Sequence, residues 1–74
     1  MVRPTRVTNS IRLLREQAGL TQAELARRVG VTRQTLIAIE QGRYSPTLEL
    51  AFQISRVFGV VLDDVFQYPQ DDPS

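Results

Sequence analysis

The stretch "TQAELARRVGVTRQTLIAIEQG", residues 21–42, contains two helical patterns that are separated by only two residues. Thr21 and Glu24, three residues apart, have the sequence signature of a capping box and predict the start of one helix, which ends at Gly30. Thr32 is the predicted N-cap of the next helix. A connection this short cannot place the two helices antiparallel, so we expect them to cross at a steep angle.

The corner between these two helices has the residue types that a close crossing needs. Ala26 is small where the two backbones approach, and Gly30 can adopt the positive φ of a tight turn. Four apolar side chains are predicted to fill the wedge behind the turn: Leu25, Val29, Leu36 and Ile39. Such a corner is typical of a DNA-binding helix-turn-helix unit, and it is also compatible with a bundle corner that binds no ligand.

Helical patterns continue on both sides of this corner. A first helix over residues 9–18 is predicted from apolar residues at helical spacing, Ile11, Leu14 and Ala18. A fourth helix is expected after Thr47, and a short fifth helix over residues 62–66. The predicted buried face of the fourth helix consists of Leu48, Ala51, Ile54, Val57 and Phe58. The expected fold class is therefore all-α, a compact five-helix bundle.

At 74 residues, the chain is expected to form one domain over residues 9–67, with an N-terminal arm over residues 1–8 and a flexible C-terminal tail over residues 68–74. It has no cysteine, no signal-peptide pattern and no apolar run long enough to span a membrane, so we expect a soluble cytoplasmic protein without membrane association.

Nothing in the sequence favours catalysis or metal binding. The chain has neither histidine nor cysteine. Its acidic pairs, Asp63-Asp64 and Asp71-Asp72, are adjacent in sequence, so the two carboxylates of each pair would point in different directions on a helix. We therefore expect no enzyme activity, no metal site and no cofactor.

The charge of the chain is unevenly distributed. Residues 1–43 hold eight arginines and three glutamates, a net charge of +5, whereas residues 44–74 hold one arginine and five acids, a net charge of −4. An asymmetry of this size favours a polyanionic partner for the basic half. Charge alone leaves open the alternative of a solvated surface with chance clustering.

One continuous segment resembles a known family. "LTQAELARRVGVTRQTLIAIEQGRYSPTLELAFQISRVFGV", residues 20–60, is similar to the Cro and repressor class of helix-turn-helix regulators, also called Xre-type. The resemblance covers residues 9–67 and rests on Thr-Gln-x-Glu-Leu-Ala, the glycine turn, Thr-Arg-Gln-Thr and Ile-Glu-x-Gly in this order. It implies a lambda-repressor-like domain that binds double-stranded DNA. Val61 stands where such domains usually place a Ser or Thr cap before the last helix.

The resemblance also implies which residues contact DNA. In this class the N-terminal residues of the third helix face base edges in the major groove. Arg33 and Gln34 hold the base-reading positions, where arginine can bond guanine and glutamine can bond adenine bidentately, and Ala38 would add a methyl contact. The implied contacts to the DNA backbone are Gln22, Thr32, Thr35, Gln41, Arg43, Tyr44 and Thr47.

Two charged residues lie on predicted apolar faces. Arg15 shares the buried stripe of the first helix with Leu14, and Glu40 follows Ile39 near the end of the third helix. Opposite charges on facing apolar stripes should pair, and the resembled family has an arginine and a glutamate at these two positions as an internal salt bridge. We expect a structural role, in which the pair holds the first helix against the end of the third.

The fifth helix and its flanks are more apolar than one short helix needs to cover its side of a core. The residues predicted to form a homodimer interface are Val60, Val61, Val65, Phe66 and Tyr68. A two-fold dimer would double the DNA contact that one short helix can make. The alternative is that these side chains only close the small core.

The sequence thus predicts a sequence-specific transcriptional regulator, a repressor that binds a palindromic operator in double-stranded DNA as a homodimer. A first alternative is the antitoxin component of a toxin–antitoxin system, which would autoregulate its operon and bind the toxin through its acidic half. A second alternative is a protein-interaction module that has kept the fold and lost DNA binding.

Overall fold

Five helices and two short strands make up the described part of the chain, residues 5–43 and 45–69 of a computed structural model. The helices are α1 (Ile11–Gln17), α2 (Gln22–Val29), α3 (Arg33–Glu40), α4 (Leu48–Phe58) and α5 (Leu62–Val65), and the strands are β1 (Thr8–Asn9) and β2 (Phe66–Gln67). The predicted all-α, five-helix bundle is confirmed. None of the described helices combines the length and apolarity needed to cross a lipid bilayer.

Threonine side chains begin three of the helices. The Thr21 hydroxyl accepts a hydrogen bond from the Glu24 N–H at 3.1 Å, and the Glu24 carboxylate accepts one from the Thr21 N–H at 2.9 Å, which completes the predicted capping box. Two contacts of the Glu24 carboxylate, first the bond from the Thr21 N–H and then an interaction with the Thr21 side chain, lower the pKa of Glu24. The hydroxyls of Thr32 and Thr47 cap α3 and α4 by accepting from the N–H of Thr35 and of Leu50.

The corner between α2 and α3 has the predicted glycine turn and threonine cap. Gly30 ends α2 with φ of +76°, in the left-handed region, where a residue with a Cβ is strained. The next N–H, that of Val31, then donates to the carbonyl of Ala26 at 3.0 Å. The chain therefore turns within two residues and enters α3 directly at its Thr32 cap.

The core lies behind this corner. Its buried members are Ile11, Leu25, Ala26, Val29, Leu36, Ile39, Leu50, Ile54 and Val65. The four side chains predicted to fill the wedge between α2 and α3 are all among them, so that prediction is confirmed. Each helix contributes at least one of these residues, which means that the small core depends on all five helices together.

Two residues that the sequence places on buried helix faces, Leu48 and Ala18, are exposed. Leu48 is 66% exposed and Leu50 is buried instead, because Leu48 is the first residue of α4 and lies on the rim of a surface groove. Ala18 is exposed because α1 ends before it. The prediction that Val65 contacts a second copy is also wrong: Val65 has no exposed surface and packs in the core of its own chain.

The strands β1 and β2, near the two ends of the described residues, pair with each other, which the sequence analysis did not predict. They pair antiparallel, with Thr8 opposite Gln67 and Asn9 opposite Phe66. The N–H of Ser10 also donates to the carbonyl of Val65 at 2.8 Å. This bond connects the start of α1 to the end of α5. The helix α5 ends at Val65, one residue earlier than predicted, because the backbone of Phe66 is extended.

Candidate functional site

The first turn of α3 presents its polar side chains to solvent. Arg33 and Gln34 are exposed, whereas Leu36 and Ile39 on the opposite face are buried against α2 and the rest of the core. Thr35 is partly buried, and its hydroxyl accepts a hydrogen bond from that of Thr32 at 2.9 Å. The first turn therefore exposes a guanidinium and an amide on a rigidly packed helix.

The start of α2 lies beside this turn. Arg33 Nη2 is 3.4 Å from Gln22 Oε1, so the first residues of the two helices meet at one place on the surface. Both line a concave surface of about 660 Å³ between α1, the start of α2 and α3. The surface is suited to an extended anion. Backbone N–H groups of the first turn of α2 point toward the N-terminal end of that helix, where they can bind an anion together with the side chains.

Charges in this concave surface are only partly neutralised within the protein. Arg12 pairs with Glu16 at 3.5 Å on the exposed side of α1, and Arg15 pairs with Glu40. No carboxylate within residues 5–43 and 45–69 forms an ion pair with Arg33. The guanidinium at the start of α3 is therefore the charge in this surface that remains for a bound anion.

The connection between α3 and α4 continues the same polar surface. Gln41 and Arg43 are exposed, and the N–H of Arg43 donates to the carbonyl of Ala38 at 3.0 Å, which folds the connection back onto α3. Ala38 itself is partly buried. Thr47 is exposed and accepts from the N–H of Leu50 as a helix cap. Tyr44, another predicted contact, lies outside the described residues.

The predicted partners Arg15 and Glu40 are brought together. Arg15 Nε lies 3.0 Å from Glu40 Oε2, and the two side chains are only 12% and 6% exposed. Arg15 Nη1 also donates to the carbonyl of Leu20 at 3.1 Å. The guanidinium therefore joins α1, the end of α3 and the connection before α2 in one contact.

Asn9 is a positioning residue that the sequence analysis missed. Its side-chain amide donates to the carbonyl of Ile39 at 2.9 Å and to that of Glu40 at 3.4 Å, and its carbonyl oxygen accepts from the N–H of Ile11 at 3.1 Å. The carbonyl of Ile39 also accepts from the N–H of Gly42 at 3.0 Å, so the Asn9 amide adds a second bond there and a bond to the carbonyl of Glu40 at the end of α3. An asparagine just before the first buried residue of α1 was the available signal, and it predicts a cap but not a contact with α3.

The remaining predicted interface residues differ in exposure. Val61 and Tyr68 are 67% and 65% exposed, whereas Val60 and Phe66 are partly buried against the core. The guanidinium of Arg6 lies 5.8 Å from the centre of the Tyr68 ring, a cation–π distance. Only part of the predicted set is thus available to a partner.

Comparisons with known proteins agree with this geometry. Residues 11–65 match the family model described as Helix-turn-helix. An HTH-type transcriptional regulator of Methanocaldococcus jannaschii is 48% identical over 64 residues, 86% of this chain and 97% of that protein. The antitoxin HipB of Escherichia coli is 37% identical over 51 residues, 69% of this chain and 58% of HipB. In a solved structure, the clp gene regulator ClgR of C. glutamicum is 30% identical with a TM-score of 0.66, over 73% of this chain and 70% of that chain. These matches confirm the resemblance to helix-turn-helix regulators and the expectation that the chain is not an enzyme.

The buried ion pair yields the first prediction. Glu40→Gln should lower the free energy of unfolding by about 3 kcal/mol, because it leaves the Arg15 charge nearly buried without its counter-charge. The control is Glu16→Gln, which breaks the exposed pair with Arg12 and should cost less than about 1 kcal/mol. Urea unfolding at neutral pH measures both values. Equal, small costs for the two variants would show that the Arg15–Glu40 pair is not buried in solution.

The Asn9 contact yields the second prediction. Asn9→Asp keeps the oxygen that accepts from Ile11 but replaces the donor to Ile39 by a second oxygen, which should cost about 1–3 kcal/mol of stability. The matched control is Gln53→Glu, an amide-to-carboxylate change at an exposed position of α4, which should be nearly neutral. Unfolding of both variants in urea measures the difference, and an unchanged Asn9→Asp would contradict the contact.

Proposed function

The chain belongs to the helix-turn-helix family of Xre-type transcriptional regulators, and we propose that it represses transcription by binding a palindromic operator as a homodimer. One observation carries the proposal: Arg33 and Gln34 stand exposed together on the first turn of α3, next to Gln22 at the start of α2. This is the face that a helix-turn-helix unit turns toward the major groove.

Base reading is assigned to the start of α3. The Arg33 guanidinium can donate two hydrogen bonds to guanine O6 and N7, and the Gln34 amide can donate to N7 and accept from N6 of adenine. Among the residues that the structure describes, Arg33 is held only by a 3.4 Å contact with Gln22, which DNA can replace with a shorter, charge-assisted bond. Ala38, one turn further along α3, offers a methyl group to a thymine.

Contacts to phosphates are assigned to side chains around α3. The hydroxyls of Thr32 and Thr47 accept hydrogen bonds as helix caps, and the hydroxyl hydrogen of Thr47 remains available to donate to a phosphate. The hydroxyl of Thr35 accepts from Thr32, so its own hydrogen is also available. The full set proposed for the DNA backbone is Gln22, Thr32, Thr35, Gln41, Arg43, Tyr44 and Thr47.

The homodimer follows from the small size of the reading surface. The first turn of a single α3 helix can read only a few base pairs. Specific sites, however, are bound about 4–10 kcal/mol more tightly than random DNA. A two-fold dimer places two copies of α3 in successive turns of the major groove, roughly 34 Å apart, and implies a palindromic operator. Repression is the simplest outcome, because a dimer that covers a promoter excludes polymerase from it.

The similarity to HipB supports a second candidate function, an antitoxin that regulates its own operon. The exposed acids Glu49, Asp63 and Asp64 in the C-terminal half would be available to a basic toxin surface. The chain spans 58% of HipB, so the similarity covers only part of that protein. A stable complex with the product of a small adjacent reading frame would favour this function over an independent repressor.

The division of DNA contacts yields the third prediction. Arg33→Ala should cost about 1–3 kcal/mol of specific binding and relax the preference at one base pair. Arg43→Ala should weaken all sequences similarly and reduce the slope of log K against log salt by about one unit. The control is Arg56→Ala, which removes an exposed arginine from α4, outside the proposed interface.

Selection of bound duplexes from a random library, followed by affinity measurements at several salt concentrations, tests these assignments. An Arg33→Ala protein that selects the same motif as the parent would refute the base-reading role of Arg33. The absence of binding to any duplex at low salt would favour the protein-interaction module instead.

The proposed dimer yields the fourth prediction. Two chains should bind each palindromic duplex at saturation, since the two half-sites are equivalent. Light scattering behind size exclusion, at tens of micromolar protein, measures the mass with and without the duplex. One chain per duplex at saturation would exclude the homodimer.

A further inference from the structure

The concave surface between α1, the start of α2 and α3 has one wall to which the DNA contacts assigned above give no role. Gln22, Arg33 and Gln41 line this surface from α2 and from the two ends of α3. The wall formed by α1 contributes Arg12 and Glu16, which are one helical turn apart. A DNA backbone that contacts both Gln22 and Gln41 passes over this surface, so its phosphates come close to α1.

Another depression of the described residues is not suited to a phosphate. It is an apolar groove of about 250 Å³ beside α4, and no charged side chain is among the described residues that line it. The lining of this groove consists of Val7, Ser45, Pro46, Leu48, Ala51, Leu62 and Phe66. The concave surface beside α3, in contrast, is lined by three arginines and two glutamates. Charge therefore favours the concave surface as the place where an anion binds.

The two arginines that α1 contributes to the concave surface are held differently. Arg15 is only 12% exposed, pairs with Glu40 at 3.0 Å and donates to the carbonyl of Leu20. Arg12 is 77% exposed, and its Nε lies 3.5 Å from Oε2 of Glu16, a side chain that is itself 57% exposed. Within the described residues this ion pair is the one polar contact of Arg12. An exposed pair contributes little to stability, so Arg12 can leave its partner at small cost, whereas Arg15 cannot.

We propose that Arg12 is a further contact to the DNA backbone, and that it exchanges Glu16 for a phosphate next to the one that Gln22 binds. The inference rests on the proposed function and adds a residue of α1 to the set assigned above. A guanidinium can bind a phosphate through two parallel hydrogen bonds, whereas its ion pair with Glu16 is a single contact of Nε at 3.5 Å. The phosphate is therefore the stronger partner.

Glu16 opposes the binding of DNA in this arrangement. Its carboxylate competes with the phosphate for Arg12, and it repels the phosphate once Arg12 has left. The alternative role of Arg12 is to neutralise Glu16 without contacting DNA. The two roles differ in a protein that lacks the carboxylate, because a phosphate contact persists there and a neutralising role does not.

A double-mutant cycle on Arg12 and Glu16 tests the inference with a duplex selected by the parent protein. Arg12→Ala should weaken binding about 10-fold and reduce the slope of log K against log salt by about one unit. Glu16→Gln should tighten binding about three-fold. Introduced into the Glu16→Gln protein, Arg12→Ala should again weaken binding and reduce the slope. Both side chains are exposed, so we expect every variant to fold.

The matched control is Arg56→Ala, which removes the same charge from an exposed position on α4. Its effect measures the long-range contribution of net charge to DNA binding, which is subtracted from the effect of Arg12→Ala.

Duplexes that each carry one uncharged methylphosphonate in place of a phosphate locate the contact. The parent protein should bind more weakly when the phosphate opposite Arg12 is neutralised, and Arg12→Ala should be insensitive at that position alone. This phosphate should neighbour, on the same strand, the one at which Gln22→Ala becomes insensitive.

Weaker binding in both members of the cycle, together with insensitivity at that one phosphate, would support the inference. It is overturned if Arg12→Ala has no larger effect than Arg56→Ala, if it has no effect in the Glu16→Gln protein, or if no phosphate loses its influence. In these three cases a motif that changes with Arg33→Ala leaves the proposed function standing. If the parent protein binds no duplex at low salt, the inference and the proposed function are both overturned.

Discussion

The structure depends on the two-residue connection between α2 and α3. Gly30 adopts a left-handed conformation, and the Val31 N–H returns to the carbonyl of Ala26, so α3 starts within three residues of the end of α2. The crossing buries apolar side chains of both helices in one wedge. The same rotation that turns Leu36 inward turns Arg33 outward, so the packing of the corner also orients the reading surface.

The two ends of α3 are held by different kinds of interaction. Its start is covered by its own threonine cap, whereas its end is held by side chains from the first part of the chain. Arg15 binds the carboxylate of Glu40, and the Asn9 amide binds the last carbonyls of the helix. A helix of 8 residues is too short to be stable alone, so its direction is set by these contacts and by the wedge.

The polar surface around α3 is separate from the apolar groove beside α4. Cationic and amide side chains collect at the start of α3 and in the connection after it, and the apolar groove begins only where that connection enters α4. Asn9 links these regions, because it lies in the strand paired with Phe66, a groove residue, while its side chain holds the end of α3.

The sequence by itself determined the local features: the helix caps at Thr21, Thr32 and Thr47, the turn at Gly30 and the order of five helices. Each depends on residues within a few positions of one another, which is why pattern alone predicts them. Charge and apolar periodicity also brought out Arg15 and Glu40 as partners. Only the tertiary structure decided that Val65 is core and Leu48 is surface, that β1 pairs with β2, and that Asn9 contacts α3. These facts depend on which distant elements meet, and apolar spacing within one helix does not specify the element that covers each position.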